Sequence, residues 1–264
     1  MSAVRSGDES DRWFRVWNRQ PAPRLRLVCL PYAGGQASAF ARWADELGSD
    51  VEVHALQLPG RGMRLAEPHC TELTRVLDAI MPAVTRLTTA PYALFGHSMG
   101  ATLAFELSRR LRRADVAPPL RLFVSAARTP RRLRLVDALG PVDDAALVDY
   151  LRQLGGTPEE VLREPELLEL VLPPLRADLQ LLDAWRSPDE PPLDVPLTAL
   201  GGRADARVSP EELALWRAHT RGPFALQLFD GGHFYLHGER PALLASLRRT
   251  LSVDGRSLRR QVQP

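Results

Sequence analysis

The chain has 264 residues, 45% of them hydrophobic, and a formal net charge of +2. That composition supports one large core, and so small a charge gives no electrostatic case for a nucleic-acid partner. No apolar run reaches about 18 residues, so no membrane span is expected. The polar opening MSAVRSGDESDRWF lacks the apolar stretch of a secretory signal. With only Cys29 and Cys70 available, and Cys29 inside an expected core strand, a reducing cytoplasm fits better than a structural disulfide. Every basic residue is arginine, which reads as coding bias alongside the many Ala, Leu and Pro residues.

In chain order, apolar runs at Leu25–Leu30, Val51–Gln57, Tyr92–Gly96, Leu120–Ala126, Val195–Leu200 and Phe224–Phe229 read as strands covered on both faces. Helical patterns fall between and after them, over 70–87, 98–113, 209–219 and 240–251. The first carries Leu73, Leu77, Ile80, Val84 and Leu87 on one stripe. The third opens on Ser209-Pro210-Glu211-Glu212: a capping serine, proline at the first helical position and acids in the first turn. This alternation predicts a mostly parallel central sheet flanked by helices, with right-handed crossovers, in one α/β domain spanning 1–264. Residues 130–190 break the rhythm with helical pieces Asp143–Leu154, Pro158–Arg163 and Pro165–Trp185, the last unusually rich in leucine. They read as a helical lid inserted into the domain, with ordinary crossover helices as the alternative. Residues 252–264 are expected to be a disordered tail.

The decapeptide PYALFGHSMG at 91–100 carries the most chemistry. An apolar run ends at Gly96, and a helical pattern follows Gly100. G-x-S-x-G between a strand and a helix is the nucleophile elbow of an α/β-hydrolase fold, with Ser98 held above the sheet edge. The alternative is a glycine-rich turn whose serine merely caps the helix.

A serine hydroxyl needs a base, and the base needs an orienting carboxylate. In this fold the chain order is Ser, then acid, then His. Gly201-Gly202-Arg203-Ala204-Asp205 follows the fifth run and offers Asp205. Asp194 would lie at the wrong end of the sheet, and Asp189 and Glu190 sit in a proline-rich connector. The rival role for Asp205 is a turn aspartate capping the next helix. Asp230-Gly231-Gly232-His233 follows the last run and offers His233, with His237 as the rival further along. Developing charge on the substrate oxygen calls for backbone donors at Met99, after the nucleophile, and at Ala33, in the loop Pro31-Tyr32-Ala33-Gly34-Gly35.

Taken together, LPYAGG (30–35), LPGRGMR (58–64), GHSMG (96–100), SAARTP (125–130), LPPLRADLQL (172–181), GGRAD (201–205) and FDGGHFYL (229–236) resemble the type II thioesterases. These are the stand-alone editing enzymes of polyketide synthases and nonribosomal peptide synthetases. The resemblance covers roughly residues 13–250. It implies Ser98 as nucleophile, Asp205 as acid, His233 as base, and Met99 and Ala33 as oxyanion donors. It also implies hydrolysis of acyl thioesters from the phosphopantetheine arm of acyl or peptidyl carrier domains, with no metal and no cofactor. The partners implied are carrier domains, with neither nucleic acid nor membrane, and a cytoplasmic monomer is expected. Arg128, Arg131, Arg132 and Arg134 form a basic cluster that would suit an acidic carrier, or simply a solvated face. Arg61 and Arg64 are read as structural. The chain departs from the family pattern at Trp185, where tyrosine is expected, and at Leu179, in place of an aromatic residue. Both departures are expected to reshape the acyl chamber. Two rival functions share these residues: a carboxylesterase of small oxygen esters, and an inactive hydrolase-fold binding module.

Overall fold

The computed structural model describes residues 12–130 and 143–262. Its centre is a seven-stranded sheet ordered β1-β3-β2-β4-β5-β6-β7. The strands are β1 (Phe14–Arg15), β2 (Leu25–Leu30), β3 (Val51–Leu56), β4 (Tyr92–His97), β5 (Leu122–Ser125), β6 (Leu197–Gly202) and β7 (Phe224–Phe229). Only β1 runs antiparallel to its neighbour; every other pairing is parallel. This is the α/β-hydrolase architecture expected from the alternation of apolar runs and helical patterns. All six expected strands are present. The two-residue edge strand β1 was not anticipated, because so short a piece carries no periodicity.

The side-chain period of two divides each strand between two cores. Val28 and Leu30 of β2 join the layer formed with α2 (Leu73–Leu87) and α3 (Met99–Arg113), whereas Leu27 and Cys29 join the opposite layer with α1 (Ala41–Leu47) and α9 (Arg240–Val262). The opposite layer is anchored by Phe40, Trp43 and Phe95, packed edge to face with centroids 5.1 Å (Phe40–Trp43) and 4.8 Å (Trp43–Phe95) apart. Both cysteines are free. Among the described residues no helix is long and apolar enough to cross a membrane.

Between β5 and β6 lie α4 (Asp144–Leu154), α5 (Glu159–Arg163) and α6 (Pro165–Ala184), the expected helical insertion. Leu147, Tyr150, Leu151, Leu162, Leu172, Leu175 and Leu179 give it a small core of its own. Further along α6, Leu181 and Leu182 pack into the main core, tying the insertion to the sheet. After β6 comes α7 (Pro210–Ala214), whose start has the expected chemistry in full. Ser209 accepts the Glu212 amide, and the Glu212 side chain returns to the Ser209 amide. The chain then turns through α8 (Tyr235–Gly238) into α9, which continues to Val262 rather than ending at the expected tail boundary of 252. Arg121, just before β5, forks onto Asp254 with bonds of 2.7 and 2.9 Å and so ties this stretch of α9 to the end of the sheet.

One buried charge in α3 has a measurable consequence. Glu106 is paired with Arg109 at 2.9 Å, both nearly inaccessible. Burial outweighs the arginine and pushes the Glu106 carboxyl up from 4.5 to about 7. Between those values the folded chain keeps a proton that the unfolded chain loses, so stability falls as pH rises through that window. Glu106→Gln should remove this fall, flattening the pH dependence of Tm between pH 5 and 7 by about 2–4 °C. Thermal melts at the two pH values check it; equal pH slopes in both proteins rule it out.

Candidate active site

The elbow is built as its sequence requires. β4 ends at His97, α3 begins at Met99, and Ser98 between them has φ 54° and ψ −116°. A non-glycine residue there stores roughly 1–3 kcal/mol of strain, held by the surrounding backbone. The Ser98 amide donates to the Ser125 carbonyl at 2.8 Å. A Cβ on Gly96 would lie 2.0 Å from the Gly100 carbonyl oxygen, and one on Gly100 would lie 2.0 Å from that of Leu30. Close approach of strand to helix therefore demands both glycines.

Asp205 and His233 arrive on the loops after β6 and β7. Their approach is permitted by Gly202, where a Cβ would meet the Gly232 oxygen at 2.2 Å. Backbone bonds from Arg203 to Phe229 (2.8 Å) and from Ala204 to Gly231 (2.9 Å) zip the two loops together. His233 Nδ1 then sits 2.9 Å from Asp205 Oδ2, with both residues buried. The other carboxylate oxygen accepts the amides of Arg207 at 2.8 Å and Val208 at 3.3 Å. Asp205 thus holds a turn as well as an imidazole, but it does not cap the next helix, a role taken by Ser209.

The alternatives are placed elsewhere. His237 stacks on Phe234 at 5.8 Å. Asp194 pairs with Arg221, and Glu190 with Arg112 and Arg113. Two further histidines are also engaged away from the pocket: His54 pairs with Glu52, and His219 lies against Phe105 and Trp216.

Ser98, His233, Met99 and Ala33 all line one pocket, together with Thr102, Ala127 and Val208. Ser98 and His233 face this pocket without a direct hydrogen bond between their side chains. Tyr150 and Leu154 of α4 and Leu182 of α6 supply the insertion's wall. Neither Trp185 nor Leu179 lines this pocket, contrary to expectation. Trp185, in extended backbone just past the end of α6, is buried in the main core, and Leu179 on α6 is buried in the insertion's own core. Arg128 lines the pocket and donates to Glu212 at 2.9 Å, so this member of the basic cluster is already paired. Arg131, Arg132 and Arg134 lie outside the described residues.

Beneath the pocket is a polar chain that the sequence did not announce. His97 Nδ1 lies 2.8 Å from Ser125 Oγ, which lies 2.6 Å from the Tyr235 hydroxyl. Burial, with His233 and His237 nearby, holds His97 well below the usual histidine range. It is a neutral partner for the His233 ring, 5.3 Å away between centroids. The variable residue of G-x-S-x-G was the only signal that could have pointed to it.

Comparison with known proteins gives the family. A family profile described as "Thioesterase domain" matches residues 25–251. Gramicidin S biosynthesis protein GrsT of Aneurinibacillus migulanus is 35% identical over 243 residues, covering 92% of this chain and 95% of that protein. Thioesterase PikA5 of Streptomyces venezuelae is 41% identical over 235 residues, covering 88% and 82%. The solved type II thioesterase BorB, from the borrelidin biosynthetic cluster, superposes with a TM-score of 0.82 at 39% identity, covering 90% of this chain and 97% of its own. On these four similarities the chain belongs to the thioesterase family, among the type II thioesterases, and is a hydrolase of thioesters.

Proposed function

We propose that this chain removes acyl groups from the phosphopantetheine arm of acyl or peptidyl carrier domains, editing or releasing aberrant intermediates of polyketide or nonribosomal peptide assembly as a cytoplasmic monomer. The observation that carries the chemistry is the 2.9 Å contact of His233 with Asp205 at the pocket that the elbow serine enters. The carrier-bound substrate is supported by relatives named for gramicidin S and borrelidin biosynthesis.

Ser98 Oγ attacks the thioester carbonyl carbon while His233 takes its proton. Asp205 stabilises the imidazolium that forms and holds the ring in the right tautomer. The amides of Met99 and Ala33 receive the charge on the carbonyl oxygen. The C–S bond breaks and the carrier thiol leaves, taking the proton back from His233. A thiol's ordinary pKa is about 8.5, so it needs less protonation than an amine would. Water then attacks the acyl-enzyme, giving its proton to His233; the acid departs and Ser98 is restored. Tyr150, Leu154 and Leu182 give the pocket an apolar wall against which an acyl chain would lie. No metal or cofactor enters the scheme.

The test is a panel of acylated carrier proteins set against p-nitrophenyl esters of matched chain length. The expected result is a kcat/KM at least about tenfold higher for carriers, since binding energy from the carrier and its arm is used only by that substrate. A preference for the free esters overturns the carrier assignment in favour of a small-ester carboxylesterase.

A further inference from the structure

Arg61 and Asp178 form a buried fork, 3% and 1% exposed, whose place in the fold goes beyond structural filling. Arg61 Nη1 and Nη2 donate to the two carboxylate oxygens at 2.5 and 2.7 Å. The pair joins the loop after β3 to the middle of α6 across 117 residues. It also grips a third segment. The Gly34 amide donates to Asp178 Oδ2 at 2.8 Å, and the Gly35 carbonyl accepts from Arg61 Nη1 at 3.2 Å. Gly34 and Gly35 directly follow Ala33, which lines the pocket beside Ser98.

Resting on the reading of Ala33 as an oxyanion donor, we infer that the Arg61–Asp178 pair positions that donor, clamping the loop after β2 between the insertion and the sheet so that its amide is set before substrate arrives. Three observations lead there. The loop has little structure of its own: one short turn, Gly35 to Tyr32 at 2.8 Å, and a Gly34 with φ +75°. The pair addresses that loop with both polarities, an acceptor for its amide and a donor for its carbonyl, which fixes orientation as well as distance. Ala33 itself packs against both the main core and the insertion's core, so moving α6 would move it. Stability alone does not account for the pair. A buried ion pair is commonly no more stabilising than apolar side chains of similar size, because desolvating two charges offsets their attraction. What the fork provides that apolar residues cannot is a directed grip on two backbone groups. Arg61 and Asp178 are positioning residues; neither meets the reacting atoms.

The test pairs Arg61→Met with Asp178→Leu, removing both charges together so that no lone buried charge is left. The probes are butyryl-pantetheine as substrate and butylboronic acid as mimic of the tetrahedral intermediate. The expected result is a folded protein with kcat lowered about 10–100-fold, the cost of a donor displaced by about 1 Å. KM should change by less than about threefold, while affinity for the boronate falls in step with kcat/KM. A merely structural role would lower Tm and leave kcat per folded molecule and boronate affinity unchanged; that outcome overturns the inference. Should that variant not fold, the milder pair Arg61→Gln with Asp178→Asn, which also leaves no lone buried charge, answers the same question by the same two readouts. Labelling of Ser98 in the unaltered protein by a fluorophosphonate separates the two levels. No labelling at Ser98 sinks the site assignment itself, whereas labelling together with unimpaired variants sinks only the positioning role.

Discussion

Ser98→Ala is expected to lower kcat about a millionfold while the protein stays folded. The magnitude follows from enzymes in which nucleophile and base act as one unit, so that losing the nucleophile costs nearly as much as losing the whole set. What remains is the contribution of the pocket and its amide donors to attack by water. Folding should survive because the Ser98 bond to the scaffold is a backbone one, its amide to the Ser125 carbonyl, and alanine retains it. The positive φ at this position is tolerated by serine, and alanine carries the same Cβ, so the added strain is small. The measurement is turnover of an acyl-carrier thioester, with a thermal melt as the folding control. Turnover within tenfold of the unaltered protein, from a folded variant, would remove the nucleophile assignment.

Asp205→Asn is the second large effect, about ten-thousandfold in kcat, and it discriminates between the two roles that the structure gives this residue. The asparagine carbonyl can still accept the Arg207 and Val208 amides, so the turn is kept. Its NH2 group then faces His233 Nδ1 where a carboxylate oxygen stood, which forces the imidazole into the tautomer with Nε2 protonated. That tautomer cannot take the Ser98 proton. A residue that only capped the turn would tolerate the change. Wild-type kcat in the variant would therefore assign Asp205 to the turn alone, whereas the expected loss, with Tm nearly unchanged, assigns it to the base. Single-turnover acylation is the sharper readout, since it isolates the first proton transfer.

Much of this site was legible in the chain because its parts are local and stereotyped. The elbow needs a strand, two glycines four residues apart and a helix, all within the stretch around GHSMG. Asp205 and His233 needed only the order of the strands, because functional side chains in parallel sheets gather where strands end. Boundaries were less legible. The fifth apolar run was read as Val195–Leu200, but β6 runs Leu197–Gly202. Pro196 lacks an amide to donate, so its carbonyl alone reaches the Leu122 amide. At the other end, pairing with β7 carries the ladder on through Gly201 and Gly202. A glycine pair reads as a turn in the sequence and is a strand here because Phe229 lies opposite.

Trp185 and Leu179 show a different failure. Their departure from the family pattern was visible, but its consequence depended on which way the last turns of α6 face and on where the chain turns just beyond them. A proline pair at Pro173 and Pro174 inside that helix makes the facing hard to extrapolate from periodicity.

Composition, apolar periodicity and turn chemistry were enough to specify a parallel sheet, an inserted group of helices, and the three residues that the fold brings together at its rim. Those features follow from backbone sterics and side-chain period, which act within a few residues. The Arg61–Asp178 fork, the His97–Ser125–Tyr235 chain and the walls of the pocket came only from the folded chain. Each joins segments far apart in sequence, and which distant groups meet is settled by how helices seat on the sheet, a property of the whole packing that no local pattern encodes.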